Sequence, residues 1–220
     1  MKKTLDIATL IEEANNFCIQ ENNVDYPELL GITDGKAVGT FVEHKFKEYL
    51  SDKYEFTKGN SASGIDFPDG FINTDIKVTS IKQPQSSCPY KDSKQKIFGL
   101  GYNLLVFVYE KNDDENTSRL NFLSVTFIKD ERTADYTTTK RLVEMLEDGA
   151  NKEDIISYLN DKALPGDEIT LNNLAEMVMN KRPLQGYLTI SNALQWRLQY
   201  ARVISLNNKV EGVVNIDFNK

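Results

Sequence analysis

The stretch GNSASGIDFPDGFINTDIKVTS, residues 59–80, decides the fold that the sequence predicts. In residues 71–79 apolar and polar side chains alternate, which is the period-2 signature of a β-strand. Residues 64–68 alternate in the same way, and the intervening Pro-Asp-Gly-Phe has the composition of a chain reversal. The stretch therefore predicts a β-hairpin.

Polar side chains collect on one face of this hairpin. Because side chains two residues apart share a face, Asp75 and Lys77 are expected side by side, roughly 7 Å apart along the strand. The reversal places Asp66 opposite Asp75. Like charges directly opposite destabilise a hairpin unless a cation neutralises them, and carboxylate oxygens are ligands for hard divalent ions. The alternative is a surface strand with an acidic pair beside a salt-bridging lysine.

Asp66 followed by Asp75-Ile76-Lys77 resembles the PD-(D/E)xK nuclease superfamily. The wider run SASGIDFPDGFINTDIKVTS looks like the type II restriction endonucleases of that superfamily. The resemblance implies that Asp66, Asp75 and the backbone carbonyl of Ile76 hold Mg²⁺. It also implies that Lys77 orients the attacking water and helps to deprotonate it.

The first acidic ligand has two candidates, Asp66 and Asp69. The literal Pro-Asp of the superfamily name is Pro68-Asp69 in this sequence. Pro68-Asp69-Gly70 has turn chemistry, however, because proline presets φ and the next two residues tolerate a reversal. Asp69 is therefore predicted at a loop tip, and Asp66 is the preferred ligand.

A glutamate on the preceding helix is the fourth candidate. Residues 36–50 have helical periodicity, and Glu43 borders the apolar stripe. The restriction-endonuclease resemblance implies that such a glutamate supports the metal shell, which makes Glu43 a catalytic and metal-site candidate and Glu48 a weaker one. The alternative is a solvated glutamate. His44 has no serine, cysteine or second histidine as a partner and is interpreted as an incidental helix residue.

The composition is that of an ordinary globular protein, with 220 residues and 40% hydrophobic content. The sequence has no run of eighteen apolar residues and no signal-peptide pattern, so a cytoplasmic location is expected. Cys18 and Cys88 lie far apart, and there is no CxxC pattern. Neither a zinc site nor a disulfide framework is indicated.

The formal charge of −7 is unevenly distributed. Residues 110–168 hold 15 acidic and 8 basic residues, which accounts for the whole net charge, and the acidic region at residues 137–160 within this segment is predicted to stay away from DNA. Residues 77–96 hold five lysines and one aspartate, and residues 181–210 hold five basic residues and no acidic one. These two basic segments are candidates for facing phosphates, and a merely solvated face is the alternative.

Candidates for DNA contacts come from the small polar stretch inside the hairpin region, from the proline-bounded loop of residues 81–90 and from the polar C-terminal stretch. The alternatives are a flexible connector for the small polar stretch and a merely solvated loop for residues 81–90. The candidates are Ser61, Ser63, Ser80, Lys82, Gln83, Gln85, Ser86, Ser87, Lys91, Lys94, Arg182, Gln185, Asn192, Gln195, Arg197 and Gln199.

The predicted fold class is α/β (α+β), a mixed central β-sheet flanked by helices. Its strands are predicted at residues 64–68, 71–79, 103–109 and 120–129, and residues 210–218 are predicted as an edge strand. Residues 103–110, NLLVFVYE, have the apolar run of a strand buried on both faces. Helices are predicted at residues 4–20, 36–50, 171–179 and 193–202, with two more in residues 137–160 broken at Gly149.

A change of composition after residue 162 predicts a nuclease core at residues 1–162, with its catalytic hairpin at 59–80, and a mainly helical basic region at residues 163–220 that contacts DNA. Ser191-Asn192 is a good N-cap for residues 193–202. Two helices joined by a turn resemble a helix-turn-helix, although residues 180–190 are long for that connection.

These observations favour a type II restriction endonuclease that hydrolyses double-stranded DNA with Mg²⁺ and leaves 5′-phosphates. A homodimer is expected, because symmetric cleavage of a palindromic duplex requires a two-fold pair of sites. Two alternatives stay open: a structure-specific repair or recombination nuclease of the same superfamily, and a non-catalytic DNA-binding module with structural carboxylates.

Overall fold

The computed structural model describes residues 2–22, 24–59, 64–88, 91–191 and 196–219. The chain forms two compact units. The first comprises Met1–Ser86, Tyr102–Ile128 and Val203–Lys220, and the second comprises Ser87–Gly101 and Lys129–Arg202. This division does not coincide with residues 162 and 163, where the change of composition occurs. The core and DNA-contacting regions inferred from composition therefore stay a functional prediction.

The secondary structure is mixed. The strands are β1 (Lys3–Thr4), β2 (Tyr54–Glu55), β3 (Thr74–Ser80), β4 (Gln85–Cys88), β5 (Asn103–Asp113), β6 (Ser118–Ile128), β7 (Thr189–Ile190), β8 (Trp196–Gln199) and β9 (Val213–Asp217). The α-helices are α1 (Ile7–Glu21), α2 (Gly35–Lys53), α3 (Lys94–Phe98), α4 (Tyr136–Glu147), α5 (Lys152–Asp161), α6 (Glu168–Asn180) and α7 (Ala201–Ile204). Pro27–Leu29 and Asp130–Arg132 form single 3₁₀ turns.

The first unit contains a four-stranded sheet in the order β3-β5-β6-β9. Strands β3 and β5 are parallel, and the other two pairings are antiparallel. The sheet confirms the predicted mixed α+β fold. Central β5 is buried along residues 103–109, as its apolar run predicts, and β9 forms the predicted edge strand.

The core of the first unit lies where α1 and α2 pack against the sheet. Phe17, Phe46 and Phe107 meet edge to face, with ring centroids 5.1 Å apart for Phe17–Phe46 and for Phe46–Phe107. Burial of each such side chain stabilises the fold by about 1.5–3 kcal/mol. This packing fixes α2 against β3, the strand that carries the DxK triplet.

The predicted hairpin is only partly formed. Residues 64–68 are not a strand; Phe67 makes a single antiparallel bridge with Thr74, and the strand β3 begins at Thr74 rather than at residue 71. The intervening residues close a tight turn in which the Ile72 and Asn73 N–H groups donate to the Asp69 carbonyl, with Asn73 at a φ of 36°. A turn of this shape cannot continue the hydrogen-bonded ladder of a β-hairpin. The bridge nevertheless sets the predicted register, in which Asp66 opposes Asp75.

The helix predicted at residues 193–202 is wrong for the part that the structure describes. Trp196–Gln199 is the strand β8, which pairs antiparallel with β7, and only Ala201–Ile204 is helical. Trp196 and Leu198 are buried while Arg197 and Gln199 are exposed, which is a period of two rather than 3.6. The resemblance to a helix-turn-helix therefore fails. Residues 192–195 lie outside the described residues.

The second unit is built mainly from helices. As predicted, two helices flank Gly149, and they pack with α6 around Leu142, Ile155 and Leu174. The loop predicted at residues 81–90 is partly wrong, since Gln85–Cys88 is the strand β4, which spans the boundary between the two units. None of the helices in the described ranges has the length and apolarity that a membrane crossing requires.

Candidate active site

Helix α2 positions two of the side chains at the site. The Asp34 side chain caps its start by accepting from the Lys36 N–H at 3.0 Å. Its buried stripe fixes the rotation of the helix about its axis. Glu43 and Lys47, four residues apart, therefore share a face. The Lys47 Nζ lies 2.6 Å from the Glu43 Oε1.

The turn and β3 supply the other three charged groups. The Lys77 Nζ lies 2.6 Å from the Asp75 Oδ2, so these side chains share a face as predicted. The Ile76 N–H donates to the Asp66 Oδ2 at 2.7 Å. The Lys47 Nζ approaches the Asp66 Oδ1 at 2.5 Å, which joins the helix to the turn. The structure thus brings together Glu43, Asp66, Asp75 and Lys77, the four predicted catalytic side chains.

Burial makes the Asp66–Asp75 pair electrostatically demanding. Burial raises the pKa of Asp75 to about 7, with Lys77 opposing the shift and the neighbouring Asp66 adding to it. Burial also acts to raise the pKa of Asp66, but the Lys47 ammonium and the hydrogen bonds from Asp75 and the Ile76 N–H outweigh it and lower that pKa. One carboxyl group is therefore held ionised while its neighbour resists ionisation. A cation between them would relieve this conflict.

These groups line one hollow of about 390 Å³, together with Gly59, Gly64, Ile65, Ile76 and His44. Two lining side chains, Lys47 and His44, were not predicted to belong to the site. The sequence contains a signal for Lys47, because a lysine four residues after a glutamate on a helix predicts an ion pair. It contains none for the second contact, from Lys47 to Asp66.

Two carboxylates, not three, come together directly. In the described part of the chain no group of three or more histidine, cysteine, aspartate or glutamate side chains has the arrangement of a metal site. Glu43 meets Asp66 through Lys47. Asp69 lies in the turn, where its Oδ1 accepts from the Phe71 N–H at 3.2 Å, consistent with the loop-tip position predicted for it.

The DNA-contact candidates that follow β3 occupy different environments. Lys82, Gln83, Ser87, Lys91 and Lys94 are exposed. Three others, Ser80, Gln85 and Ser86, are half-buried. Ser61 and Ser63 lie outside the described residues. No described contact tests the roles predicted for these side chains.

The C-terminal candidates divide into paired and exposed side chains. Gln185 is hydrogen-bonded within the second unit, where its Nε2 donates to the Tyr136 carbonyl at 2.9 Å and to the Thr139 Oγ1 at 3.0 Å. Arg182 forms an ion pair with Glu147. Arg197 and Gln199 project from β8 and are exposed. Asn192 and Gln195 lie outside the described residues.

Comparison with known proteins gives one family. The family model for the type II restriction enzyme NspV matches residues 4–215 of this chain. The type II restriction enzyme NspV of a Nostoc species is 50% identical over 214 residues, which cover 96% of each chain. No solved structure matches. The match spans nearly the whole sequence and includes the residues of the hollow, and on this ground the chain belongs to the NspV family of type II restriction enzymes.

Proposed function

We propose that this type II restriction endonuclease hydrolyses phosphodiester bonds of double-stranded DNA with Mg²⁺ and leaves 5′-phosphates. The hollow around the Asp66–Asp75 pair is the proposed site. A single observation carries the proposal: the buried carboxyl group of Asp75 and the half-buried one of Asp66 lie within hydrogen-bonding distance of each other, with a lysine ammonium 2.6 Å from the Asp75 Oδ2. This arrangement fits the PD-(D/E)xK pattern that the sequence resembles.

The residues of the hollow fit a divalent cation. Asp66 and Asp75 present oxygen donors, which Mg²⁺ prefers. Burial and the neighbouring Asp66 disfavour the negative charge of Asp75 and so raise its pKa, while Lys77 opposes this shift. Asp66, Asp75 and the Ile76 carbonyl would hold the ion, and Glu43 would support its shell. When bound, Mg²⁺ supplies positive charge to the scissile phosphate and the leaving oxygen.

The chain's own residues position the reactants. The Ile76 N–H and Lys47 fix both oxygens of Asp66, so this carboxylate is oriented before any substrate arrives. Lys77, held beside Asp75, orients the attacking water, and its positive charge favours loss of the water proton to solvent. The water oxygen bonds to phosphorus as the P–O3′ bond breaks. The products are a 5′-phosphate and a 3′-hydroxyl.

The choice between the two candidate aspartates gives a direct test. We expect Asp66→Ala to reduce Mg²⁺-dependent cleavage of phage DNA by at least about 100-fold, because it removes a carboxylate at the centre of the hollow. Asp69→Ala should retain cleavage within about threefold, since that side chain only caps a turn. Rates are measured from the appearance of discrete bands on gels. A larger loss of cleavage for Asp69→Ala than for Asp66→Ala would show that the wrong aspartate was chosen.

The assembly and location are also proposals. A homodimer supplies two copies of the site for the two strands of a palindrome. Sedimentation on the intact cognate duplex tests it, since a single-subunit complex that nicks the strands in turn excludes the dimer. The DNA contacts of the exposed polar side chains, and the cytoplasmic location, stay predictions from the sequence.

A further inference from the structure

Lys47 holds a central position in the hollow, and its orientation of Asp66 accounts for only one of its two contacts there. Its Nζ lies 2.6 Å from the Glu43 Oε1 and 2.5 Å from the Asp66 Oδ1, and its side chain is 16% exposed. The i,i+4 contact to Glu43 is an ordinary helix pair, but the contact to Asp66 crosses from α2 to the turn before β3. The ammonium therefore stands between two carboxylates from separate segments.

The charges of the hollow explain why an ammonium is stable there. Three carboxylates, Glu43, Asp66 and Asp75, face two ammonium groups, Lys47 and Lys77. The Lys47 ammonium donates hydrogen bonds to the carboxylates of both Asp66 and Glu43, and these bonds offset the burial of its charge. Full ionisation leaves one negative charge uncompensated. One divalent ion would change the net charge of the hollow from −1 to +1, whereas two ions would raise it to +3 in a half-buried space.

The position of the Lys47 Nζ also argues against a second ion. Mg²⁺ binds oxygen ligands at about 2.0–2.1 Å, so an ion shared by Glu43 and Asp66 would need the space that the Lys47 Nζ occupies. Asp66 and Asp75, by contrast, contact each other directly through a hydrogen bond. Glu43 is thus connected to the ion-binding pair through Lys47.

We propose that Lys47 is a fixed counter-charge that takes the place of a second metal ion, so that the site binds one divalent ion per chain at the Asp66–Asp75 pair. In this role Lys47 is a positioning residue for Asp66 and Glu43. The inference rests on the proposed function for the existence of the ion site, and it adds the number of ions and the residue that limits it.

The test uses Lys47→Met, which keeps the length of the side chain and removes its charge, and Lys47→Arg, which keeps the charge. Lys45→Met is the matched control on the same helix, because Lys45 pairs with Glu21 at 3.4 Å, away from the hollow. Thermal melting is recorded in EDTA and in MgCl₂. Ion stoichiometry is measured by isothermal titration with CaCl₂, without DNA.

We expect one bound ion per wild-type chain. Lys47→Met should melt roughly 5 °C or more below Lys45→Met in EDTA, because Glu43 and Asp66 lose their shared partner, and Mg²⁺ should recover more of its stability than it adds to the wild type. Lys47→Arg should restore the wild-type melting in EDTA. Two ions per wild-type chain, or equal melting of Lys47→Met and Lys45→Met in EDTA, would overturn the inference. Since no readout uses DNA, absent cleavage would count against the proposed function alone.

A different observation carries a second inference, in the second unit. A hollow of about 490 Å³ is lined by four cationic side chains, Lys140, Arg141, Lys162 and Arg202, and by one carboxylate, Glu144. Two of the four cations, Lys140 and Arg141, belong to residues 137–160, the acidic region that was expected to stay away from DNA. The fold brings them together with Lys162 and Arg202 from later in the chain.

The lining of this hollow carries more positive than negative charge, with four cations and one carboxylate. The Arg202 guanidinium stacks 3.7 Å over the ring of Tyr136, which orients the group. Glu144 is 3.9 Å from Lys140 and 3.6 Å from Arg141, and all three side chains are about half exposed. Ion pairs this long and this exposed contribute little. The lining therefore presents a net positive field to a bound anion.

We infer that this hollow binds a backbone phosphate of the DNA substrate. Phosphate is the anion that a DNA-cleaving enzyme meets along its whole interface, and guanidinium and ammonium groups are its usual partners. The inference rests on the proposed function for its ligand. It assigns a DNA contact to α4 and to the start of α7, where none was expected.

The test compares Lys162→Gln/Arg202→Gln with Lys129→Gln/Lys152→Gln, which removes two cations of the same unit outside the hollow. Binding to a fluorescent 30-base-pair duplex is followed by anisotropy in EDTA over a series of salt concentrations. We expect the slope of log affinity against log salt to fall by about 1–2 for the hollow variant, with at least a tenfold loss of affinity at low salt. The control variant should keep the wild-type slope.

Equal slopes in the two variants would overturn this assignment. The assignment would also be overturned if the hollow variant kept its DNA affinity but lost an increase in melting temperature that inorganic phosphate produces in the wild type. The ligand of the hollow would then be a free anion. Cleavage by the wild type is measured in parallel. Absence of cleavage with the expected change of slope would reject the proposed nuclease function and leave the DNA contact in place.

Discussion

Asp75→Asn is expected to reduce Mg²⁺-dependent DNA cleavage by at least about 1,000-fold, and Lys77→Met by a similar factor. Asparagine keeps the shape of Asp75 but removes the charge that would hold the ion, and methionine removes the ammonium that lies 2.6 Å from the Asp75 Oδ2. Both are measured as single-turnover rates on a plasmid that contains the cognate site. Cleavage within tenfold of the wild type by either variant would show that the reaction occurs elsewhere.

Melting in EDTA separates loss of catalysis from loss of folding. Burial, with Asp66 adding to it, raises the folded-state pKa of Asp75 to about 7 from its ordinary value of 3.8, while Lys77 opposes the shift. Because the folded state then binds more protons than the unfolded state between these values, its stability falls as the pH rises through that window. Asp75→Asn lacks this cost. It should melt at or above the wild type at pH 8, and the difference should narrow as the pH falls toward 4.

Asp135→Ala is expected to destabilise the second unit by about 3 kcal/mol or more. The buried Asp135 carboxylate caps α4 by accepting from the Thr138 N–H at 2.8 Å, and it also accepts from the Thr138 Oγ1 and from the Ile190 N–H at 2.9 Å. Burial lowers the pKa of Lys96, and Asp135 partly offsets that effect. Alanine would leave these buried donors unsatisfied. A fall in the melting temperature of roughly 6–12 °C follows.

Asp167→Ala is the matched control for this prediction. Asp167 caps α6 by accepting from the Thr170 N–H at 2.8 Å, and unlike Asp135 it lies at the surface. Its loss should cost about 1 kcal/mol. Urea denaturation of both variants gives the comparison, and equal losses would mean that burial of the Asp135 cap adds nothing.

The central part of the site could be predicted from short-range rules. A period of two aligns Asp75 with Lys77, and a turn at Pro68-Asp69-Gly70 brings Asp66 opposite Asp75 even though residues 64–68 do not form a strand. These relations depend only on chain geometry within about ten residues. The ladder failed because the turn consumes residues 71–73, and composition does not specify how many residues a turn takes.

Longer-range contacts were beyond prediction. The interaction of Lys47 with Asp66 depends on how closely α2 approaches the turn, which core packing around Phe46 decides. The cations of the second hollow come from positions up to 62 residues apart in sequence, Lys140 to Arg202. For residues 196–199 the spacing of apolar side chains suited a helix, but pairing with β7 selected a strand. Tertiary partners override local propensity in such short segments.

The position of β9 has a consequence for synthesis on the ribosome. Val213–Asp217 pairs with Ser124–Ile128 of β6. During translation β6 therefore lacks its β9 partner until about ninety more residues have been synthesised. Throughout that interval a nascent chain carries an open strand with apolar side chains such as Val125 and Phe127, which neighbouring chains can pair with. A stalled or prematurely terminated chain would thus already contain every side chain proposed for catalysis and still be prone to aggregate.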